Sequence, residues 1–315
     1  MQVTQFDVVI VGGGLAGLSL ACALSGTRLR VALVEQRAPI RPAGWDVRVY
    51  AISPANARFL QRIGVWKHLP EERIATLMAM EVYGDTGARL DFSAYASGLS
   101  ELGWVIESSL IACELWENVK RQNNLTLFSP AAPSRVEIRA EEAILTLTDG
   151  RTVSTKLLVG ADGRDSWLRQ TVGLSAEATS YGELGVVANF ACERQHRGIA
   201  RQWFRADGVL AWLPLAGERL SIVWSTAEEH ARTLLALAGD ELSARVASAG
   251  QHALGDLKLL TPAAAFPLSL MRVPRTFTAR LALIGDAAHG IHPLSGHGIN
   301  LGFQDARVLG ELLAA

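Results

Sequence analysis

The sequence predicts an α/β fold in which an antiparallel sheet interrupts a parallel one along the chain. Short apolar runs rich in β-branched residues, typical of buried parallel strands, occur at 6–11, 31–35 and 281–284. Small and apolar residues at 15–24 predict a buried helix between the first two strands, which completes a βαβ unit. From about residue 174 to residue 275, short strands separated by tight turns replace this pattern. Because the parallel-strand pattern then returns, we expect two domains that are interleaved along the chain.

Capping and turn signals locate the other elements. Ser53 followed by Pro54 is typical of a helix N-terminus and predicts a helix over 54–63. Spaced apolar residues predict a helix over 108–121, and turn residues predict hairpins around Gly84–Gly87 and Asp149–Gly150. In the antiparallel region we expect a meander, with strands at 186–190, 201–204, 209–213 and 220–224. Further helices are predicted over 228–249, with a break near Gly239, and over 299–313.

Composition disfavours several classes of function. The 315 residues are 49% apolar and 19% charged, which is enough for a large core, and their net charge of −1 disfavours nucleic acid as a partner. Cys22, Cys113 and Cys192 are scattered, which fits a reducing cytoplasm rather than a disulfide framework or a zinc site. The apolar segment from Phe6 to Leu24 is about as long as a membrane span, but its glycines favour a strand–turn–helix. We therefore expect a cytoplasmic chain without a signal peptide or a transmembrane helix.

A glycine-rich turn, Gly12-x-Gly14-x-x-Gly17, joins the first predicted strand to the first helix. Gly12 permits a tight turn, Gly14 lets the backbone approach a pyrophosphate, and Gly17 lets helix and strand pack closely. The partial positive charge at the helix N-terminus favours phosphate. Glu35 ends the next strand, 18 residues after Gly17, where its carboxylate can accept a hydrogen bond from a ribose hydroxyl. These features together predict dinucleotide binding, but they do not distinguish FAD from NAD.

Two later motifs have a similar setting, directly after an apolar strand. The first contains Asp162-Gly163 and the second contains Gly285-Asp286. The second continues as a set of spaced residues, namely His289, His292, Pro293, Gly296, Gly298, Asn300, Gly302 and Asp305. The three motifs in this order resemble those of the class A flavoprotein aromatic hydroxylases. Within that family the chain is most similar to the ubiquinone-biosynthesis ring hydroxylases, and the likeness extends through 48–53 and 60–66.

The resemblance implies a fold like that of p-hydroxybenzoate hydroxylase, with a Rossmann-like FAD-binding domain and an interleaved antiparallel substrate domain. We expect the FAD-binding domain to comprise 1–75, 101–173 and 276–315, and the substrate domain to comprise 76–100 and 174–275. The implied reaction uses NAD(P)H to reduce FAD, after which O2 adds to the flavin and the flavin hydroperoxide hydroxylates a phenol. The phenol would carry a prenyl tail, which would bring the chain to the inner-membrane surface or into a biosynthetic complex.

The resemblance also implies roles for residues around FAD. Asp286 would hydrogen-bond the ribityl or ribose part, Arg48 would lie near the flavin, and Asp162-Gly163 would shape the groove shared with NAD(P)H. The segment expected to contact the flavin contains Pro293, Gly296, Gly298, Ile299 and Asn300. The N-terminus of the 299–313 helix would favour the negative charge of reduced flavin. His297 stands where the family usually has Gln, which changes the expected flavin tuning rather than flavin binding.

Several residues have a structural and a functional interpretation. Trp203, Trp212 and Trp224 lie in the predicted meander, where aromatic residues commonly pack a sheet core; the alternative is that they line the substrate pocket together with His292. The histidines at 289, 292 and 297 lack an acidic ligand at a set spacing, so no metal site is predicted. No residue stands out as the base that would deprotonate the phenol.

Two other functions stay open. The family usually extends beyond the position of Ala315, so the chain could be an FAD- or lipid-binding module without catalysis. It could also be a flavin dehydrogenase, reductase or halogenase of the same fold, although the Trp-x-Trp-x-Ile-Pro segment of halogenases is absent. A hydrolase is not predicted, because no serine has a G-x-S-x-G setting.

Overall fold

The computed structural model of the protein describes residues 3–292 and 296–315. Its first ten strands are β1 (Thr4–Val11), β2 (Val31–Val34), β3 (Val49–Ile52), β4 (Ala75–Leu77), β5 (Ala79–Tyr83), β6 (Arg89–Ser93), β7 (Gly103–Glu107), β8 (Leu125–Phe128), β9 (Pro133–Ile138) and β10 (Ala143–Leu147). The others are β11 (Thr152–Gly160), β12 (Glu177–Cys192), β13 (Ile199–Arg205), β14 (Gly208–Leu215), β15 (Arg219–Ala227), β16 (Leu257–Leu259), β17 (Ala264–Arg272), β18 (Phe277–Thr278), β19 (Leu281–Leu283) and β20 (His289–Gly290).

Most helices agree closely with the sequence-based expectations, whereas the short helix over Trp167–Thr171 was not predicted. They are α1 (Leu15–Ala23), α2 (Pro54–Arg62), α3 (Ser108–Lys120), α4 (Trp167–Thr171), α5 (Glu228–Ala236), α6 (Gly239–Ala249) and α7 (Gly298–Ala314), with 3-10 turns at Trp66–His68, Glu71–Arg73 and Gly285–Ala287. Ser53 caps α2 by accepting the Asn56 N–H, as its position before Pro54 predicts. The predicted helix over 228–249 is broken at Gly239 into α5 and α6. No helix among the described residues is long and apolar enough to cross a membrane.

A mainly parallel sheet forms one half of the molecule. Its strand order is β18-β19-β11-β1-β2-β8, and the hairpin β9–β10 extends from β11. The pairings of β1 with β2 and β11, of β2 with β8 and of β11 with β19 are parallel, so the predicted βαβ unit is confirmed. Helices α1, α3 and α7 cover one face, with Ile10, Leu33 and Phe303 fully buried between the layers. Each such side chain contributes about 1.5–3 kcal/mol through burial.

A second sheet is mostly antiparallel and has the order β20-β17-β12-β15-β14-β13-β5-β6, with β16 beside β12. The predicted meander is correct for β13–β14–β15 but wrong for its first strand, because β12 pairs with β15 and not with β13. Three strand spacings, about 14 Å, separate β12 from β13. The six-residue connection 193–198 can span about 20 Å, so it carries the chain past β15 and β14.

Strand β17 was not predicted, and Pro267 accounts for this. Proline is normally excluded from central strands because it has no N–H to donate. In the structure β17 pairs with β12 along most of its length, whereas β20 pairs only with Met271 and Arg272. Pro267 therefore lies where β17 is an edge strand, the setting in which a strand tolerates proline. The three-stranded sheet β3-β7-β4 was also not predicted, and its strands are only three to five residues long.

The two large sheets draw on alternating parts of the chain. Strands of the parallel sheet come from 4–34, 125–160 and 277–283, and strands of the antiparallel sheet come from 79–93, 177–227, 257–272 and 289–290. The two-residue strand β20, which lies shortly after the Gly285-Asp286 motif, thus belongs to the antiparallel sheet. The domain boundaries given above stay a prediction.

Candidate functional site

The glycine-rich turn is held tightly against the Asp162-Gly163 segment. Gly12 has a φ of +108°, and a Cβ there would lie 2.3 Å from the Ala161 carbonyl oxygen. A Cβ on Gly17 would lie 2.0 Å from the Gly12 carbonyl oxygen. Both distances are far below a van der Waals contact, so only glycine fits at either position. The turn and the segment that follows β11 consequently form one unit.

Gly14 has a different environment from its two partners. No atom outside its chain neighbours lies within 4 Å of the position that a Cβ would take. Gly14 is the N-cap of α1 and provides no side-chain hydrogen bond to the first turn. The first N–H groups of a helix have no intrahelical acceptor, and the helix dipole adds partial positive charge. An open approach, free N–H donors and positive potential fit a pyrophosphate at this point.

Glu35 lies beside the turn. Its Oε2 accepts the Gly13 N–H at 2.5 Å, and its Oε1 accepts the Arg37 N–H at 2.8 Å. An ionised carboxylate offers about four acceptor sites, so these two bonds leave capacity for a ribose hydroxyl. The expected ribose contact of Glu35 therefore stays a prediction that its position allows.

Asp162 orders its own segment. Its Oδ1 accepts the Ser166 hydroxyl at 2.5 Å, and its Oδ2 accepts the Leu168 N–H at 3.0 Å, so it caps the short helix α4. Gly163 has a φ of +84°, in the left-handed region that favours glycine. The carboxylate is thus committed to shaping the loop, which is compatible with the expected groove.

Arg169 links this segment to the Gly285-Asp286 motif. The side chain is buried, and it donates to the carbonyl oxygens of Ala287 at 3.0 Å and Arg164 at 2.8 Å. Sequence reasoning assigned Arg169 no role, although an arginine six residues after the Asp162-Gly163 pair was visible as a signal. Asp286 itself is exposed, as a residue that hydrogen-bonds a ligand requires.

The Asn300 side chain connects α7 to the start of α2 through hydrogen bonds. Its Oδ1 accepts the Ser53 N–H at 2.9 Å and an Asn56 Nδ2–H at 2.8 Å. Its Nδ2 donates to the carbonyl oxygens of Ala51 at 2.8 Å and Gly296 at 3.0 Å. Both ends of the buried amide are thus used within the protein, so its side chain positions the loop and the expected contact with the flavin ring is left to the backbone.

The other residues of this segment occupy distinct positions. Gly296 has a φ of +60°, and a Cβ there would approach Ala51 at 3.9 Å. Gly298 begins α7, and the half-buried Ile299 packs against the core between the helices and the parallel sheet. Pro293 lies outside the described residues. Because Asn300 donates to the Ala51 carbonyl oxygen in β3, the N-terminus of α7 lies beside β3, the strand that directly follows Arg48.

Arg48 is exposed, and its backbone is fixed at both ends. Its N–H donates to the Asp46 Oδ1 at 3.0 Å, and its carbonyl oxygen accepts the Ser108 N–H at 2.9 Å. Tyr50 lies close to both Arg48 and Asp286: burial raises the pKa of its hydroxyl, Arg48 lowers it and Asp286 raises it. Sequence reasoning did not single out Tyr50, and its position in a short, unpredicted strand offered no signal.

The three tryptophans lie in one hydrophobic core cluster. Trp203, Trp212 and Trp224 are buried in the cluster formed by one face of the antiparallel sheet and helices α5 and α6. The rings of Trp203 and Trp212 meet edge to face at 4.9 Å. Directly paired residues of antiparallel strands share a face, so the three tryptophans lie on the face of the sheet that α5 and α6 cover. This burial agrees with the structural interpretation of the three tryptophans, and the alternative that they line the substrate pocket stays a prediction.

The three histidines of the third motif have different surroundings. His292 Nε2 is 3.5 Å from the Glu183 Oε2, and its ring contacts that of Tyr181 at 4.9 Å, so it packs against β12. His289 is hydrogen-bonded to Asp305 at 2.6 Å. His297 is exposed at the N-cap of α7 and makes no capping bond with its side chain. Across 3–292 and 296–315, no group of three His, Cys, Asp or Glu side chains is placed to hold a metal.

The three motifs thus converge on one edge of the parallel sheet, and comparison with known proteins agrees with this geometry. A family described as an FAD binding domain matches residues 5–315. The chain belongs to this family. Ubiquinone hydroxylase UbiL of Rhodospirillum rubrum is 36% identical over 98% of this chain and 72% of its own length. The 3-demethoxyubiquinol 3-hydroxylase of Escherichia coli is 32% identical over 98% of this chain and 79% of its own length.

The fold comparison is equally extensive. The structure of P. aeruginosa PqsL in complex with 2-aminobenzoylacetate has a TM-score of 0.84 at 24% identity and covers 98% of this chain and 86% of that one. At this identity the likeness concerns the fold, and it confirms the predicted class, an FAD-binding domain with an interleaved antiparallel sheet of the p-hydroxybenzoate hydroxylase type. FAD is the cofactor of this family. That Gly12, Gly14 and Gly17 receive it stays a prediction with which their geometry agrees.

Proposed function

We propose that this FAD-binding chain is a monooxygenase that hydroxylates a prenylated phenol in ubiquinone biosynthesis, with NAD(P)H and O2 as co-substrates. The observation that carries this proposal is the meeting of three FAD motifs in a chain 36% identical to a ubiquinone hydroxylase. The relatives named for ubiquinone hydroxylation match nearly the whole chain, which supports a shared reaction type. The ring carbon that is hydroxylated is left open.

The chain's own residues would bind and orient the cofactor. The N-terminus of α1 would hold the pyrophosphate, Glu35 a ribose, and Asp286 a ribityl hydroxyl. Arg48 would lie along the flavin, where its positive charge favours the reduced ring. When bound, FAD would supply the redox chemistry that links NAD(P)H, O2 and the phenol. The protein's contribution is orientation and the exclusion of water.

The substrate would lie against the face of the antiparallel sheet opposite the tryptophans. Leu213 identifies this face, because it packs with residues of the three-stranded sheet that joins the two halves. Cross-strand pairing adds Val187, Val223 and Ser221 to the same face. Most of these side chains are apolar, which suits an aromatic ring and a prenyl tail and keeps water out.

Two polar groups on this face support recognition of a ring substituent. Asn189 and Ser221 are directly paired and fully buried. The Asn189 Oδ1 and the Ser221 Oγ have no hydrogen-bond partner among the described residues. A buried polar atom without a partner is costly, and a bound hydroxyl or an ordered water would satisfy it.

A surface near the edge of this sheet supports peripheral attachment to a membrane, which is part of the proposal. The strand β6 and the turn that follows it expose Leu90, Phe92, Tyr95 and Leu99, and Tyr95 is 93% exposed. Such clusters on a soluble surface usually mark an interaction site. Co-sedimentation with phospholipid vesicles should be lost in an L90S/F92S double variant, and binding equal to that of the wild type would argue against this surface.

The enzymatic proposal has a direct test. Purified protein loaded with FAD should oxidise NAD(P)H in the presence of a prenylated phenol, and mass spectrometry should find the product heavier by one oxygen atom. The oxygen should come from 18O2 rather than from water. If FAD binds but NAD(P)H oxidation yields only hydrogen peroxide with every prenylphenol, the hydroxylase proposal fails and a binding module without catalysis is favoured.

A further inference from the structure

Asp305 is the last residue of the third motif. It lies on α7, one turn after Gly302. Its Oδ2 accepts two hydrogen bonds, from the Gly285 N–H at 2.8 Å and from the Nε2–H of His289 at 2.6 Å. Gly285 directly precedes Asp286, so a single carboxylate oxygen holds both sides of the expected FAD contact.

The space around Gly285 is tightly filled by neighbouring residues. Gly285 has a φ of +59°, and a Cβ there would lie 2.9 Å from the Cβ of Ala16 on α1. A Cβ on Gly302 would lie 3.5 Å from both Gly285 Cα and Ala16 Cβ. Gly285 is thus enclosed between α1 and α7, and its N–H begins a 3-10 turn that has no backbone acceptor for it. Asp305 provides that acceptor from the same face of α7 as Gly302.

The charges around His289 make this carboxylate a strong acceptor. The hydrogen bond with Asp305 raises the pKa of His289, burial opposes the rise, and the charges of Asp305 and Asp286 add to it. Two positive groups lie near the same turn: Arg169 donates to the Ala287 carbonyl oxygen, and the Arg164 guanidinium flanks Gly290. His289 therefore carries more positive charge near neutral pH than an isolated histidine, and a charge-assisted bond holds Asp305.

We propose that Asp305 is a positioning residue of the FAD site, which fixes the Gly285–Asp286 turn through its bonds to Gly285 and His289. This inference rests on the proposed role of Asp286 in binding FAD. Asp305 acts through the turn and does not itself contact the cofactor. His289 is the second member of the device, because it orients the carboxylate and keeps it ionised.

The test compares FAD affinity in D305N and H289Q, measured by quenching of flavin fluorescence between pH 6 and pH 9. D305N should raise the Kd for FAD roughly 10- to 100-fold, because a charge-assisted acceptor becomes a neutral one. In the wild type the affinity should fall as pH rises through the raised pKa of His289. H289Q keeps a donor that does not titrate, so this pH-dependent step should disappear.

Two controls separate positioning from a general loss of stability. E311Q changes another carboxylate on α7, one that pairs with Arg307 and Arg62 at the surface, and it should leave FAD affinity unchanged. The melting temperature of FAD-free H289Q should stay close to that of the wild-type protein. If His289 had a purely structural role, H289Q would lower the melting temperature, and FAD affinity in the wild type would show no pH-dependent step.

The outcomes distinguish this inference from the proposed function. Wild-type affinity for FAD in both D305N and H289Q at every pH would overturn the inference while the FAD site stands. If D305N does not fold, H289Q decides: loss of the step supports the inference and retention of the step overturns it. A wild-type chain that does not bind FAD would instead refute the proposed function.

Discussion

Glu107 and Arg73 form a two-pronged ion pair in which the carboxylate is completely buried. Arg73 Nε lies 2.8 Å from Glu107 Oε2, and its Nη2 lies 2.6 Å from Oε1. The same Oε1 accepts the Asp46 N–H, and the Asp46 carbonyl oxygen accepts an Nδ2–H of Asn189 in the antiparallel sheet. The pair therefore anchors the segment that precedes Arg48 to both halves of the molecule.

E107Q is expected to lower the free energy of unfolding by about 3 kcal/mol, since breaking a buried pair leaves a charge without compensation. We do not expect a larger loss, because the Arg73 side chain is 22% exposed and can gain some hydration once Glu107 is replaced. Urea unfolding followed by circular dichroism measures the change. E137Q, which removes an exposed pair with Arg139, should cause no measurable change, and equal losses in the two variants would contradict the argument.

G12A and G14A should behave differently, although both alter the same turn. G12A places a methyl group 2.3 Å from a carbonyl oxygen at a positive φ and should destabilise the FAD-free chain by about 3 kcal/mol. G14A meets nothing within 4 Å and should leave the FAD-free chain stable, while it lowers FAD affinity at least about tenfold because it fills the approach of the pyrophosphate. Thermal melting and FAD titration give both quantities. Unchanged FAD affinity in G14A would count against the pyrophosphate site.

N300A should destabilise the protein by about 2–4 kcal/mol, because it leaves the Ser53 N–H, the Asn56 amide and two carbonyl groups without their partner. The loss should be accompanied by weaker FAD binding, since the N-terminus of α7 would no longer be held to β3. Urea unfolding and FAD titration measure the two effects. The exposed Asn123 provides a control, and N123A should match the wild type in both experiments.

Asp7 should contribute stability that depends on pH. The Arg30 N–H, at 2.9 Å, is the main cause that lowers the pKa of Asp7, and Lys156, at 2.9 Å, lowers it further. A lowered folded-state pKa means that the contribution is complete above the unfolded value of 3.8 and is lost as pH falls through the folded value. D7N should therefore cost about 1 kcal/mol at pH 7 and progressively less below about pH 4.

Urea unfolding of wild type and D7N at pH 7 and at pH 3 tests this dependence. D85N, in the exposed turn between β5 and β6, should match the wild type at both values. A D7N deficit that is as large at pH 3 as at pH 7 would show that the side chain acts through packing and not through its charge.

The sequence by itself determined most of the parallel strands, the longer helices and the glycine turn, although it did not predict the parallel strand β8. These features depend on local properties: apolar runs of strand length, a capping serine before a proline, and backbone positions that exclude a Cβ. Gly12 and Gly17 could be recognised because only glycine permits their contacts, and a spacing of a few residues records that requirement. The order of the three motifs likewise needed no coordinates, and it led to an FAD-binding family that the comparisons show.

Only the tertiary structure decided which surfaces face each other. Strand alternation divides a sheet into two faces but does not say which one meets the FAD-binding half, so Trp203 and Ser221 could not be placed from the pattern. The pairing of β12 with β15 required a crossing that no turn residue announces. The roles of Asn300 and Asp305 required Ser53 and Gly285 to be their neighbours, 247 and 20 residues away along the chain. Such contacts form only when α1, α2 and α7 pack together. The pattern of residues along the sequence does not say which residues of different helices and strands will become neighbours.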